Sequence, residues 1–474
     1  MFLASQAENA GSIPVTRSVV ASVRDRLLIL GSSLLPLTVW WFVLLPGNFT
    51  IDSIDVVNQI RSGTWNDWHT NAYTLFAWST SLGGRVWSFI TLSQVLLMAL
   101  GIGSLGWALN GSRTSIKTAA VASAIFSSLP QVGSFTVTMW KDVPSTAGAL
   151  MLAAALIEWK SSTSHSKIPI SFAVIGAVLL ASFRWNGPVA LGVLSIVLIV
   201  LHRKESVRLV LGVVLAAFIA LTSLFLPQRI NLAESTTWFN FEVRELHDIA
   251  YVFQSRPSIF REDDLRLLSS VMPLPEWAVG GSSCEGVEVL QYKSFARNAP
   301  SSIDTALERR AEIRQLWRKV VFRAPLQVAT VRICRAGGVL SPVFFGQQPT
   351  LGLWHNDATD QELVRAKYFP AAESFLANVV RATSQSEATK TVFLNAMLWT
   401  IIALALNFIG RSTPAGIWAV VAVGSSIMIS VALGANAHDA RYVAGALLAT
   451  QYFSLFSIVD RLRSWRGSRV TERA

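Results

Sequence analysis

The stretch Asn48–Tyr73, NFTIDSIDVVNQIRSGTWNDWHTNAY, gathers residue types that move protons and hold anions. It carries Asp52, Asp55 and Asp67, with His69, Trp65 and Trp68 among them. A carboxylate pair such as Asp52 and Asp55 suits general-base chemistry, one group taking a proton while the other orients it or binds a metal. Thr50 is placed to cap a short helix that Gly63 ends. On that helix Asp52, Asp55 and Gln59 share one face, and Ile51, Ile54 and Val57 lie on the other. The plainer account of such a face is the solvated side of an interfacial helix, with Asp52 favoured by the helix dipole. Asp67 reads as solvated only.

Three further loops hold charges. TMWKDVP places Lys141 and Asp142 just before an apolar run, RWNG places Arg184 in a tight turn, and His438, Asp439 and Arg441 precede the last apolar run. A guanidinium offers a planar fork for phosphate oxygens, so Arg184 and Arg441 are candidate phosphate ligands, with Lys141 beside them. Snorkelling to a membrane interface is the ordinary alternative for both arginines, and an ion pair fixing a helix start is the alternative for Asp142. Trp68 and His69 read equally as substrate contacts or as an aromatic belt, and His438 and Asp439 are candidates through their nearness to Arg441. The six histidines are scattered along the chain, so no compact histidine metal cluster can be drawn. A divalent metal held by Asp52, Asp142 and a phosphate is compatible with these residue types.

The elements that must position these loops are apolar. Of 474 residues, 52% are hydrophobic and 15% charged, against about 25% charged in soluble domains. Continuous runs approach the ~20 residues that cross a hydrocarbon core as a helix, and they lack the alternation of β-barrel strands. The expectation is an all-α polytopic membrane protein with about ten spans. Seven fall in residues 1–226, at about 27–45, 86–109, 116–131, 144–158, 168–183, 188–201 and 207–226, with a first external loop over 47–85. Residues 227–390 form an external, mainly helical cap. Residues 391–474 add spans at 391–409, 416–433 and 443–458 and a basic tail. The first run is of full spanning length and reads as a signal anchor rather than a cleavable leader.

The charge supports an orientation. With the N-terminus inside, the cytoplasmic pieces hold 16 Lys/Arg and 6 Asp/Glu, the large external segment 19 and 18, and the other external loops 5 and 5. Nearly all of the net +11 is then cytoplasmic, as the positive-inside rule expects, and no nucleic-acid partner is needed to explain it. The same topology puts Asp52, Asp55, His69, Asp142, Arg184, His438, Asp439 and Arg441 on one external face, where ionisable groups are costly without a role.

Within the external segment, residues 304–323 predict one amphipathic helix. Leu307, Ile313, Trp317, Val320 and Val321 share a face, and Arg310, Arg314 and Arg318 form a stripe. Residues 256–277 and 370–390 also read as helical. Cys284 and Cys334 both lie outside, where a disulfide is permitted; spacing alone leaves their pairing open.

A polytopic chain whose first external loop opens with an acid on a short membrane-parallel helix resembles the GT-C fold glycosyltransferases. IDSIDVVNQIRSGTWNDWHTNAYTL, MWKDVP, RWNG and Ala440-Arg441-Tyr442 together are similar to a bacterial subgroup related to protein-O-mannosyltransferases. Thr70 stands where a proline often follows the histidine. The resemblance implies an inverting transfer of a sugar from a polyprenyl-phosphate donor to a hydroxyl of a glycan, lipid or protein acceptor. It implies Asp52 as base, with Asp55 and Asp142 assisting, and a place in cell-envelope synthesis at a bacterial plasma membrane. A transporter, flippase or ligase of lipid-linked saccharides is the alternative. Transporters keep polar groups mid-span and show paired repeats, whereas here the charges collect at one face.

Overall fold

The structure is a computed structural model that describes residues 23–66, 69–110, 115–161, 167–201, 207–230, 233–234, 237–284, 287, 289–295, 301–336, 358–364, 368–383, 385–409, 414–434 and 440–471. The chain is all-α apart from two two-residue strands among these residues. In the N-terminal half the helices are α1 (Val23–Val43), α2 (Ile51–Ser62), α3 (Asn71–Thr80), α4 (Ser88–Asn110), α5 (Ile116–Ser128), α6 (Pro130–Thr136), α7 (Asp142–Ser161), α8 (Lys167–Ser182), α9 (Gly187–Leu201) and α10 (Val207–Arg229).

Next come α11 (Thr237–Ser255), α12 (Glu262–Val271), α13 (Leu274–Gly280), α14 (Ser301–Glu308), α15 (Arg310–Arg323), α16 (Pro325–Ala336) and α17 (Pro370–Thr383). The chain then returns to apolar helices: α18 (Glu387–Leu394), α19 (Ala396–Ile409), α20 (Pro414–Gly434) and α21 (Ala444–Thr471).

Among the described residues, four helical segments are long and apolar enough to cross a membrane: Val23–Val43, Ser88–Asn110, Ala415–Gly434 and Arg441–Arg463. A fifth candidate is α18 with α19, which bend by 65° about Asn395 where one continuous run was expected. The apolar stretches of α5, α8, α9 and α10 are shorter. The expected helical runs are therefore present, but some are short or broken. Asn395 accounts for the break: its side-chain Oδ1 accepts from the Leu398 N–H at 2.9 Å and restarts the helix as a cap.

Packing of the apolar helices relies on close backbone approach. A Cβ added at Gly148 of α7 would lie 2.6 Å from the Gly176 carbonyl oxygen of α8, and one at Gly176 would lie 2.7 Å from that of Gly148. Small residues allow such contact, and van der Waals packing is the main attraction between helices in lipid. One core joins α1, α4, α5, α7, α8, α9, α20 and α21.

The cap has a core of its own, with Leu246, Ile249, Trp277, Phe295, Leu316 and Val320 all buried. Residues 304–323 are two helices broken near Arg309 rather than one. Ile313 and Val320 are buried as the periodicity expects, while Arg310 and Arg314 turn to Glu242. Asp248, fully buried, is held by Arg335 at 2.6 Å and Arg332 at 2.9 Å, so its charge is compensated. Cys284 and Cys334 form a disulfide. The cap meets the apolar helices through α16 against α20 and through Arg244, which donates to the Gly434 carbonyl at 2.7 Å.

Candidate active site

Thr50 and Gly63 bound α2 as expected: Gly63 has φ of 72°, a left-handed conformation that glycine adopts without strain. Ser53 Oγ accepts from the Thr50 N–H at 3.0 Å and donates to the Met139 carbonyl at 2.7 Å. On the apolar face Val57 is buried as expected, and Val56 and Ile60 are buried with it, whereas Ile51 is 74% exposed.

The first loop is fastened to the loop before α7. The Asn48 N–H donates to the Val137 carbonyl, and the Met139 N–H to the Asn48 carbonyl, each at 2.9 Å. Gln94 of α4 closes the underside, donating to the Thr138 carbonyl at 2.7 Å and accepting from the Tyr73 hydroxyl at 3.2 Å. Gly47, with φ of 127°, allows this approach, since a Cβ there would lie 2.4 Å from Thr91 Cγ2. These bonds bring Asp52 and Asp55 within electrostatic reach of Lys141.

Two ion pairs complete the cluster from far along the chain. Arg441, in a single 3-10 turn (Ala440–Val443) ahead of α21, places Nη1 2.6 Å from Asp52 Oδ2. Arg184, in the turn between α8 and α9, places Nη1 2.8 Å from Asp142 Oδ1 and donates to the carbonyls of Arg441 and Tyr442 at 2.9 Å each. Four loops thus meet at one end of the helical bundle. Trp140 and Tyr442 line the junction: Arg441 lies 5.3 Å from the first ring centroid and 5.6 Å from the second, within cation–π range. Trp140 also donates to Thr50 Oγ1 at 2.9 Å.

The electrostatics separate the two acids of α2. Burial alone would raise the Asp52 carboxyl, but the charges of Arg441 and Lys141 and the Arg441 hydrogen bond outweigh it and hold Asp52 well below the usual carboxylate range. Asp55 is raised by burial, partly offset by the Gln59 amide, which donates to Oδ2 at 2.8 Å, and reinforced by the neighbouring Asp52 charge. Lys141 is lowered, first by burial, which Asp52 and Asp142 oppose.

His69 is buried, with Nδ1 3.0 Å from Lys141 Nζ and Nε2 3.6 Å from Asp55 Oδ2. An ammonium can only donate, so Nδ1 accepts and the ring proton sits on Nε2, towards Asp55. Burial, then the Lys141 charge, lowers the ring to about 3. His69 is therefore a neutral bridge rather than an exposed aromatic-belt residue.

Of the expected site residues, Asp52, Asp55, His69, Lys141, Asp142, Arg184 and Arg441 come together. Asp67, Trp68, His438 and Asp439 lie outside the described residues. Asp52 and Asp142 are each engaged by an arginine. Among the described residues no group of three or more His, Cys, Asp or Glu gathers to hold a metal.

Sequence reasoning missed Trp140 and Tyr442, although each adjoins a charged motif residue. It also missed Thr70, Asn71 and Thr74 at the start of α3, buried with their side-chain polar atoms unpartnered among the described residues. The signal was a polar TNAYT run opening an apolar helix. No protein-family model matches this chain, and no curated protein or solved structure is similar to it.

Proposed function

We propose that this chain is a membrane-embedded glycosyltransferase of the GT-C type, moving a sugar from a polyprenyl-phosphate donor to an acceptor hydroxyl. The observation that carries the reading is the meeting of Asp52, on a short helix of the first loop, with Arg441 from the last loop, 389 residues away. A carboxylate able to take a proton and a cation able to hold a phosphate then share one site, with Lys141 and the Arg184–Asp142 pair behind them.

The chemistry follows from those positions. The donor tail stays in lipid and its phosphate sits at headgroup level against Arg441. The acceptor oxygen attacks the anomeric carbon as the bond from that carbon to the phosphate oxygen breaks. Asp52 receives the hydroxyl proton, and the lipid phosphate leaves with the bonding electrons, its charge met by Arg441 and Lys141. One displacement inverts the anomeric centre. Arg184 acts here by holding Asp142 and the backbone at Arg441, and His69 with Asp55 supports the α2 face. No step is routed through a metal.

The reading includes ten spans, both termini cytoplasmic, the site on the outer face of a bacterial plasma membrane, and a glycan, lipid or protein acceptor. Support for the orientation is the charge asymmetry of the loops. Membranes containing the Asp52→Asn variant, expressed at the wild-type level, are expected to lose transfer of labelled sugar from lipid-linked donors. Retained transfer removes Asp52 from the role of base.

A further inference from the structure

Asp52 and Arg441 each weaken the other's task while they hold each other. With Asp52 Oδ2 2.6 Å from the Arg441 guanidinium, the adjacent positive charge stabilises the carboxylate and makes it a weaker base. The same contact occupies one nitrogen and part of the charge of the guanidinium, the group offered to the phosphate. Both are released if a phosphate oxygen takes the place of the Asp52 oxygen.

The surroundings permit this exchange without moving the backbone. The Arg441 and Tyr442 carbonyls are pinned by Arg184, each at 2.9 Å, so the turn is fixed and only the Arg441 side chain need swing. The rings of Trp140 and Tyr442 flank the guanidinium and limit that swing. Lys141, beside His69, supplies a second cation to an arriving anion. A phosphate ester brings more acceptor oxygens than a carboxylate, which suits the five N–H donors of arginine.

We infer that Asp52 is an internal stand-in for the donor phosphate on Arg441, so that binding of a lipid phosphate ester both fills the anion site and frees the base. This rests on the phosphate-linked donor of the reading above and adds an order to it: donor first, acceptor second. An acceptor hydroxyl that arrives alone meets a carboxylate occupied by arginine.

Binding of two probes, farnesyl phosphate and inorganic phosphate, to the purified full-length protein in detergent tests the exchange. Removing the competing carboxylate in Asp52→Asn is expected to tighten farnesyl phosphate by about tenfold, the scale of one partly buried charge-assisted pair. Asp52→Ser must tighten it similarly, and Arg441→Gln must weaken it and cancel the gain when combined with Asp52→Asn. Asp55→Asn removes an equal charge nearby without touching Arg441 and is expected to change binding less than Asp52→Asn. Unchanged or weaker binding in both Asp52 variants overturns the exchange. A gain seen with inorganic phosphate but not with farnesyl phosphate leaves the exchange standing and instead removes the lipid-linked donor.

Discussion

Arg184 Nη1 donates to the carbonyl oxygens of Arg441 and Tyr442 at 2.9 Å each and lies 2.8 Å from Asp142 Oδ1 as its ion-pair partner. Its ring contact with Tyr442, 5.0 Å from guanidinium carbon to centroid, adds a fourth hold. Arg184 is thus a bracket between the third and last loops of the bundle end, and Arg441 is the cation placed against Asp52.

That bracket separates two substitutions. Arg184→Lys keeps a charge near Asp142 but loses the planar fork, so transfer is expected to fall about tenfold or more with folding largely kept. Arg184→Gln removes the cation that pairs with Asp142, 2% exposed, leaving only the Lys141 charge nearby, and is expected to cost up to about 3–5 kcal/mol. Thermal unfolding of the two purified variants should differ accordingly. Equal stability in both would mean that the pair carries no structural load.

His69 gives the site a pH response with a definite sign. Its ring titrates at about 3 when folded and near 6.5 when unfolded, so between those values the unfolded chain binds more protons and stability rises with pH. The site is at full strength above pH 6.5 and loses about 2 kcal/mol by pH 5, since 1.5 pH units at 1.36 kcal/mol each lie below the unfolded value. His69→Gln should flatten the unfolding temperature between pH 7.5 and pH 5. An unchanged slope would assign the acid sensitivity to other groups.

The crossing of α7 and α8 depends on Gly148 and Gly176. A side chain at either position drives a Cβ into the opposing backbone, at 2.6 Å and 2.7 Å. Gly148→Val is expected to separate the helices and reduce the yield of folded protein by several kcal/mol of lost packing, the size seen for overpacked cores or more. Gly192→Ala, with nothing within 4 Å of its added Cβ, is the control and should fold normally. Monodispersity in detergent reports both.

The disulfide closes a loop of 50 residues, for which chain entropy gives about 4 kcal/mol at most. Its reduction should therefore expose the cap to protease before the apolar helices. Limited proteolysis with and without reductant measures this; identical patterns would mean that the cap core alone holds the segment.

Local signals carried much of this architecture. The helix over 51–62 was legible because Thr50, Gly63 and a polar face lie within one short segment. The gathering of charged loops at one end followed from the alternation of apolar runs. What could not be read were contacts set by tertiary packing: Arg441 with Asp52 across 389 residues, and Gln94 beneath the first loop. The split of residues 304–323 near Arg309 was hidden because the apolar period continues through it. Arg184 and Arg441 looked alike in sequence, as arginines in loops, and only their partners distinguish bracket from cation.

Asn395 has a consequence for how the protein is assembled. The bend it makes frees backbone carbonyls at the end of α18, and two side chains satisfy them: Trp399 donates to the Val392 carbonyl at 2.5 Å, and Gln451 of α21 donates to the Phe393 carbonyl at 2.8 Å. Gln451 is synthesised 58 residues after Phe393. A carbonyl left without a partner away from water costs about 1–3 kcal/mol, so the final helix stabilises the bend by supplying one. The bond from Gln451 thus ties the bend between α18 and α19 to the final helix, so a substitution at Gln451 in α21 would loosen a break 58 residues earlier in the chain.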